Sequence, residues 1–272
     1  MAENQLRIIT VLTLLMLVFL SIASFFGAFV DITYAREVES MAAQGMGQDL
    51  VDLFIVVPAT AIFLVLLRKN RRSATLIFGG LVFYVLYSFI IYSFGVHFNL
   101  MFLVYSFTLG TAAYTFIFYF YNISRIDVEN WFSGKTPDLS LSVFLIVIAA
   151  IFYMLWLLDV LPAIINNTIP ATVSDYDLLV NPVHVADISF ALPGLIITAI
   201  LLLKKHNLGY ILAPVVLVFL IVLTIALAAM VVMTRIKGIS EDISIAVIFL
   251  VISLASGLFL WFYLKALKTD KD

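Results

Sequence analysis

Apolar runs long enough to cross a membrane follow one another along almost the whole chain, separated by short polar breaks. A spanning helix needs ~20 mostly apolar residues. Runs of this kind fall at residues 7–30, 49–67, 74–94, 100–121, 141–165, 182–203, 210–233 and 243–264, and the pattern predicts eight helices. The wettest break, 126–139, holds Asp127, Glu129, Gly134, Lys135 and Pro137 and divides the runs four and four. The first run exceeds the ~7–15-residue apolar core of a secretory leader. It also has a counterpart at 141–165, so it is expected to be a helix of the mature protein.

A second pattern lies over the first. Asp49, Asp52 and Pro58, followed by an apolar run that ends at Arg68 and Lys69, recur as His184, Asp187 and Pro193, followed by a run that ends at Lys204. The offset is constant: 184 − 49, 187 − 52, 193 − 58 and 204 − 69 all equal 135. The expected fold is therefore an all-α polytopic integral membrane protein of eight transmembrane helices. These form two parallel four-helix repeats, residues 1–125 and 140–272, joined by a cytoplasmic linker at 126–139. An even number of spans per repeat keeps both in one orientation, related by a pseudo-two-fold axis along the membrane normal.

Basic loops stay cytoplasmic. With the N-terminus inside, Arg36, Arg235 and Lys237 fall outside and the remaining 15 − 3 = 12 basic residues fall inside. This predicts both termini in the cytoplasm. Composition agrees with the class: 64% of residues are hydrophobic and 12% charged, against about half and about a quarter in soluble domains. The absence of cysteine excludes disulfides, thiolate metal sites and thiol redox chemistry. Carboxylates, three histidines and hydroxyls are left to carry chemistry.

The outer half of the membrane collects these groups. Asp49 with Asp52, and His184 with Asp187, are spaced i, i+3 and share a helix face. Asp159 lies in the outer part of the fifth run. A charge inside hydrocarbon costs ~2.5 kcal/mol or more, so Asp52, Asp187, Asp49, His184 and Asp159 are the candidate substrate- or ion-binding residues. The alternative for the acids is hydrogen bonding between helices, and Asp49 is also explained by a place near a helix N-terminus, where the macrodipole favours an acid. No metal centre is expected. His97 and His184, the histidines that could serve as ligands, are too few for a three-histidine site, and His206 lies on the other side. Pro58 and Pro193 fall about midway along their helices and are expected to kink them. Matched interrupted helices in two repeats point to a transporter-type binding site.

Tyr84, Ser88 and Tyr92 form one hydroxyl stripe, and Tyr105, Thr108, Thr115 and Tyr119 another; either could line a polar path or bond neighbouring helices. Gly79, Gly80, Gly110 and Gly257 suit close helix contacts, and Tyr34, Tyr121 and Tyr210 suit interfacial anchors. Asn181 before Pro182 reads as a helix cap. Phosphate-binding glycine loops, HExxH and GxSxG are absent.

At Asp49–Pro58, at Tyr84–Tyr87 with Tyr92–Asn99, and at Asn181–Pro193, the chain resembles a group of prokaryotic polytopic membrane proteins with no established activity. The resemblance covers most of the spans and implies a bacterial or archaeal plasma membrane. The functional expectation is a small-solute or ion transporter, or a permease subunit, using paired intramembrane carboxylates. The alternatives are a non-catalytic assembly or sensing component, and a membrane enzyme with an outward-facing carboxylate and histidine site. The expected partners are the lipid bilayer, a small solute or ion and a membrane subunit, with no nucleic acid; no cofactor is specified.

Overall fold

The computed structural model describes residues 3–240 and 242–268. Among them are eight helices long and apolar enough to cross a membrane: α1 (Glu3–Phe29), α2 (Glu39–Arg68), α3 (Arg72–Gly95), α4 (Phe102–Ile123), α5 (Asp138–Asn166), α6 (Pro182–Leu203), α7 (Asn207–Ile236) and α8 (Ser244–Lys265). This all-helical architecture is compatible with an integral membrane protein. Large side chains such as Leu14, Val18, Phe25, Leu158 and Leu254 point outward, exposed. Such a surface suits hydrocarbon and not water.

The core lies along α3 and α7. Helix α7 packs on α2, α3, α6 and α8, and α3 packs on α2, α4, α7 and the first turn of α6. Helix α1 packs on α2 and α4, and α5 on α6. Close approach is built in where Gly79 meets the Tyr119 ring and Gly80 meets Val218 and the Val215 carbonyl. Gly110 and Gly257 have no neighbour within 4 Å of a built Cβ, so they do not mediate the close contacts expected of them. The hydroxyls of Thr108, Thr111 and Thr115 bond carbonyls of their own helix, four residues back. That satisfies these polar groups within their own helix in an apolar setting.

Several boundaries follow the sequence closely, and one does not. Helix α6 begins at Pro182, capped by the Asn181 side chain, which accepts from the Val183 and His184 amides. Helix α2 begins at Glu39, ten residues (49 − 39) before Asp49. The run Met41–Gln48 reads as polar loop in sequence because Gln44, Gly45, Gly47 and Gln48 break the apolar pattern. In the fold it is helix packed on α7, and Gly47 lies against the Ala229 carbonyl. Asp49 is therefore well inside a helix, and the macrodipole does not account for it.

The prolines act through a wider turn. Asp52–Val56 and Asp187–Ala191 are π-helical, and the Val57 and Leu192 amides donate to the Asp52 and Asp187 carbonyls five residues back. Pro58 and Pro193 follow at once. Each has no N–H, and its ring crowds the carbonyl four residues earlier. Opening one turn by a residue relieves that crowding. Such π turns recur at functional sites.

Candidate functional site

Two acid sites lie at these π turns, both against α3. Tyr84 Oη donates to Asp52 Oδ1 at 2.8 Å, and Tyr87 Oη donates to Asp187 Oδ1 at 2.6 Å. Tyr84 and Tyr87 are one turn apart on the same helix face, so a single helix supplies both acids with a donor.

The first site is sealed. Asp49 and Asp52 are 0% and 1% exposed. Tyr34 Oη donates to Asp49 Oδ2, and Tyr34 in turn lies 3.5 Å, hydroxyl to hydroxyl, from Tyr92. Asp49 Oδ1 and Asp52 Oδ2 have no partner. Gly27 of α1 makes the space: a Cβ there would overlap the Asp49 carboxylate and the Tyr34 hydroxyl. Tyr34, expected at the interface, is instead buried among these groups. Ser24 of α1 is fully buried beside Asp49.

The second site opens onto a cavity of about 370 Å³ that runs from the loops at 30–38 and 167–181 down to Asp187, Ala191 and Leu195. Its walls come from α2, α3, α5, α6 and α7, with Phe249 of α8. Asp187 Oδ2 accepts from Trp156 Nε1 at 2.8 Å. The Trp156 ring lies against the His184 imidazole, 4.3 Å between centroids. His184 Nδ1 is 3.9 Å from Asp159 Oδ2, and that oxygen also accepts from Thr172 at 2.5 Å. His184 Nε2 is buried with no partner.

The structure thus brings Asp187, His184 and Asp159 together, and separately Asp49 and Asp52. Asp187 and His184 line the cavity; Asp49 and Asp52 stand outside it. Tyr34 and Tyr92 touch both, lining the cavity while their hydroxyls stand at Asp49. His97 stands apart from both acid sites. Its ring Nδ1 is 3.0 Å from Glu37 Oε2, its amide donates to Glu37 Oε1 at 2.8 Å, and Nε2 is 3.9 Å from Asp177. These contacts, the Glu37 hydrogen bond first, raise its pKa above the ordinary histidine value against partial desolvation. Among the described residues no three His, Cys, Asp or Glu side chains are grouped to hold a metal.

Sequence reasoning missed Trp156, Ser24 and the role of Tyr87. Trp156 stands three residues before Asp159, on one face of α5 with it, and that spacing was the available signal. Ser24 stands 159 − 24 = 135 residues before Asp159, the same offset that relates the other pairs. Comparison of the chain with protein-family models, with curated proteins and with solved structures finds no match.

Proposed function

We propose that the chain is a small-solute permease of a prokaryotic plasma membrane, or the membrane subunit of one. It is built as two parallel four-span repeats with both termini cytoplasmic. The solute enters the cavity from the outer side and is held at Asp187 and His184. The sealed Asp49–Asp52 pair carries the proton or monovalent cation that accompanies it.

The observation that carries this reading is the cavity itself. It is walled by helices of both halves and ends on an acid at an opened helical turn, beside a second acid site that shares α3. Concave, largely apolar spaces with a few convergent polar groups are where small ligands bind. Helix bounds support the repeat. The π turns of α2 and α6 and the starts of α3 and α7 are 187 − 52 and 207 − 72 apart, both 135. The packing supports a two-fold as well, since α2 on α7 is matched by α6 on α3. Two buried carboxylates whose hydrogen-bond donors are neutral hydroxyls hold an uncompensated charge unless a proton or cation joins them.

Flux into liposomes tests the reading, with a panel of organic solutes and an imposed pH or sodium gradient. Ala191→Phe fills the cavity floor without altering an acid and is expected to abolish solute uptake. Asp52→Asn is expected to leave solute binding in place and to remove its dependence on the gradient. Uptake that survives Ala191→Phe overturns the cavity as the path.

A further inference from the structure

We infer that the solute taken by the cavity is an organic cation, a protonated amine on an apolar body. This rests on the reading of the cavity as the solute site.

Charge is the first argument. Glu37 and Asp187 line the cavity, and among the described residues no lysine or arginine does. Glu37 is already engaged, both oxygens accepting from His97. Asp187 is 7% exposed, and its two donors, Tyr87 and Trp156, are neutral. Neutral donors orient a carboxylate but do not cancel its charge, and an uncompensated charge at such burial is costly. A cation arriving through the cavity cancels it. An anion would meet Asp187 with no lysine or arginine on the walls to hold it.

The second argument is the shape of the surroundings. The two rings that donate to Asp187 both stand on the cavity wall. Phe219 lies edge-on to Tyr87 at 5.1 Å, and Phe152 lies 6.1 Å from Trp156. Aromatic rings on the wall beside a carboxylate favour an ammonium group, because a ring face turned to the cation adds quadrupole attraction to that of the charge.

The third argument is the parity of donors and acceptors. His184 Nδ1 stands 3.9 Å from Asp159 Oδ2, and a neutral imidazole that keeps its proton on that nitrogen offers Nε2 as an acceptor. It is buried and unpartnered. Asp187 is an acceptor too. Ser88 Oγ, also unpartnered on the wall, serves as donor or acceptor and does not discriminate. The unmet polar capacity near Asp187 therefore calls for N–H donors. The remaining wall, including Ile91, Ile148, Leu195, Leu220 and Leu223, suits an apolar body.

Binding of three probes of one shape and different charge tests the inference: phenylethylammonium, phenylethanol and phenylpropanoate. Trp156 fluorescence reports binding in a Trp131→Phe, Trp261→Phe background of the full chain. The cation is expected to bind about tenfold or more tightly than the alcohol, and the carboxylate more weakly than both. Asp187→Asn should bring the cation down to the level of the alcohol, while Asp127→Asn, in an inner loop far from the cavity, should leave the ranking unchanged. Should Asp187→Asn fail to fold, the ranking in the parent protein and in Asp187→Glu, which keeps the charge, decides. If the alcohol or the carboxylate binds as well as the cation, the charge inference falls while the cavity remains a binding site. If none of the three binds, the cavity reading falls and the inference with it.

Discussion

The two acid sites begin from the same design and differ in access. Each has an acid at the first residue of a π turn, a proline six residues on and a tyrosine of α3 as donor. Yet Asp52 is sealed and Asp187 lines a cavity. The stretch of chain before each acid differs as well. Helix α2 starts thirteen residues (52 − 39) ahead of Asp52, and those turns pack on α7. Helix α6 starts five residues (187 − 182) ahead of Asp187, and a loop precedes it. Pro182 already meets Gly95, the last residue of α3, so no earlier turn of α6 stands over the end of α3, and Ile91 and Tyr92 of α3, with Val96 just past it, line the cavity. A longer helix before one acid and a loop before the other thus accompany the sealed and the open site.

Residue exchanges at equivalent positions fit the same division. Ser24 and Asp49 stand 135 residues before Asp159 and His184 (159 − 24, 184 − 49), and each pair joins two neighbouring helices. Gly27 corresponds to Pro162 (162 − 27 = 135). Glycine is required at 27 because the Asp49 carboxylate occupies the place of its side chain.

That difference yields the largest effect. Gly27→Ala should cost ~1–3 kcal/mol, the range for overfilling a packed site, and should displace Asp49 or Tyr34. Gly194→Ala, beside the proline of the cavity-side π turn, meets nothing within 4 Å. It should be neutral or stabilising by up to about 1 kcal/mol, as for glycine replaced inside a helix. Thermal unfolding in one detergent measures both. Equal effects of the two substitutions would remove the contrast between a sealed and an open site.

Next come the two tyrosines. Tyr84→Phe strips the Asp52 carboxylate of its donor where water has no entry, and leaving a buried acceptor unmet costs ~1–3 kcal/mol. Tyr87→Phe leaves Asp187 with Trp156, and water entering the cavity replaces the lost bond, so about 1 kcal/mol or less is expected. Chemical or thermal unfolding of the pair reads the difference. A larger loss for Tyr87→Phe would mean that Asp187 is the more isolated of the two.

What could be read from the chain, and what could not, follows the same line. The eight apolar runs and the Asn181 cap are local signals, and the helices form at or within a few residues of them, apart from the start of α2. The acids at 52 and 187 were marked by the cost of charge in hydrocarbon, and the structure places both against α3. The start of α2 was hidden because Gln44, Gly45, Gly47 and Gln48 lack apolar periodicity. Their helix is held by close packing of Gly47 on α7, a tertiary effect that no local pattern announces. For the same reason the sealed and open sites looked equivalent. The prolines were read as kinks. That each opens a π turn, with the acid as its first residue, depends on how the helix accommodates the missing amide and is a choice made in the packed state. Tyr34 looked like an interfacial anchor because burial of a loop tyrosine depends on a contact fifteen residues away (49 − 34).

The smallest effect concerns the roof of the open site, which the sealed one does not need. His97 joins Glu37 of the α1–α2 loop to Asp177 of the α5–α6 loop, so it fastens the first half to the second above the cavity. Its pKa is raised, first by the hydrogen bond to Glu37 and then by the charges of Glu37 and Asp177, against some desolvation. A group whose folded pKa lies above its unfolded one stabilises the fold in full below the unfolded value, here near 6.5, and loses that contribution as pH rises through the folded value. Surface screening limits the size, because the ring is partly exposed. The thermal midpoint of the parent protein should therefore exceed that of His97→Gln by most at a pH below about 6, and the gap should narrow by about pH 8. Melting curves of both proteins across that interval provide the check. A gap that stays constant, or widens toward alkaline pH, would show that His97 acts as a neutral spacer and that no charged clasp spans the two halves.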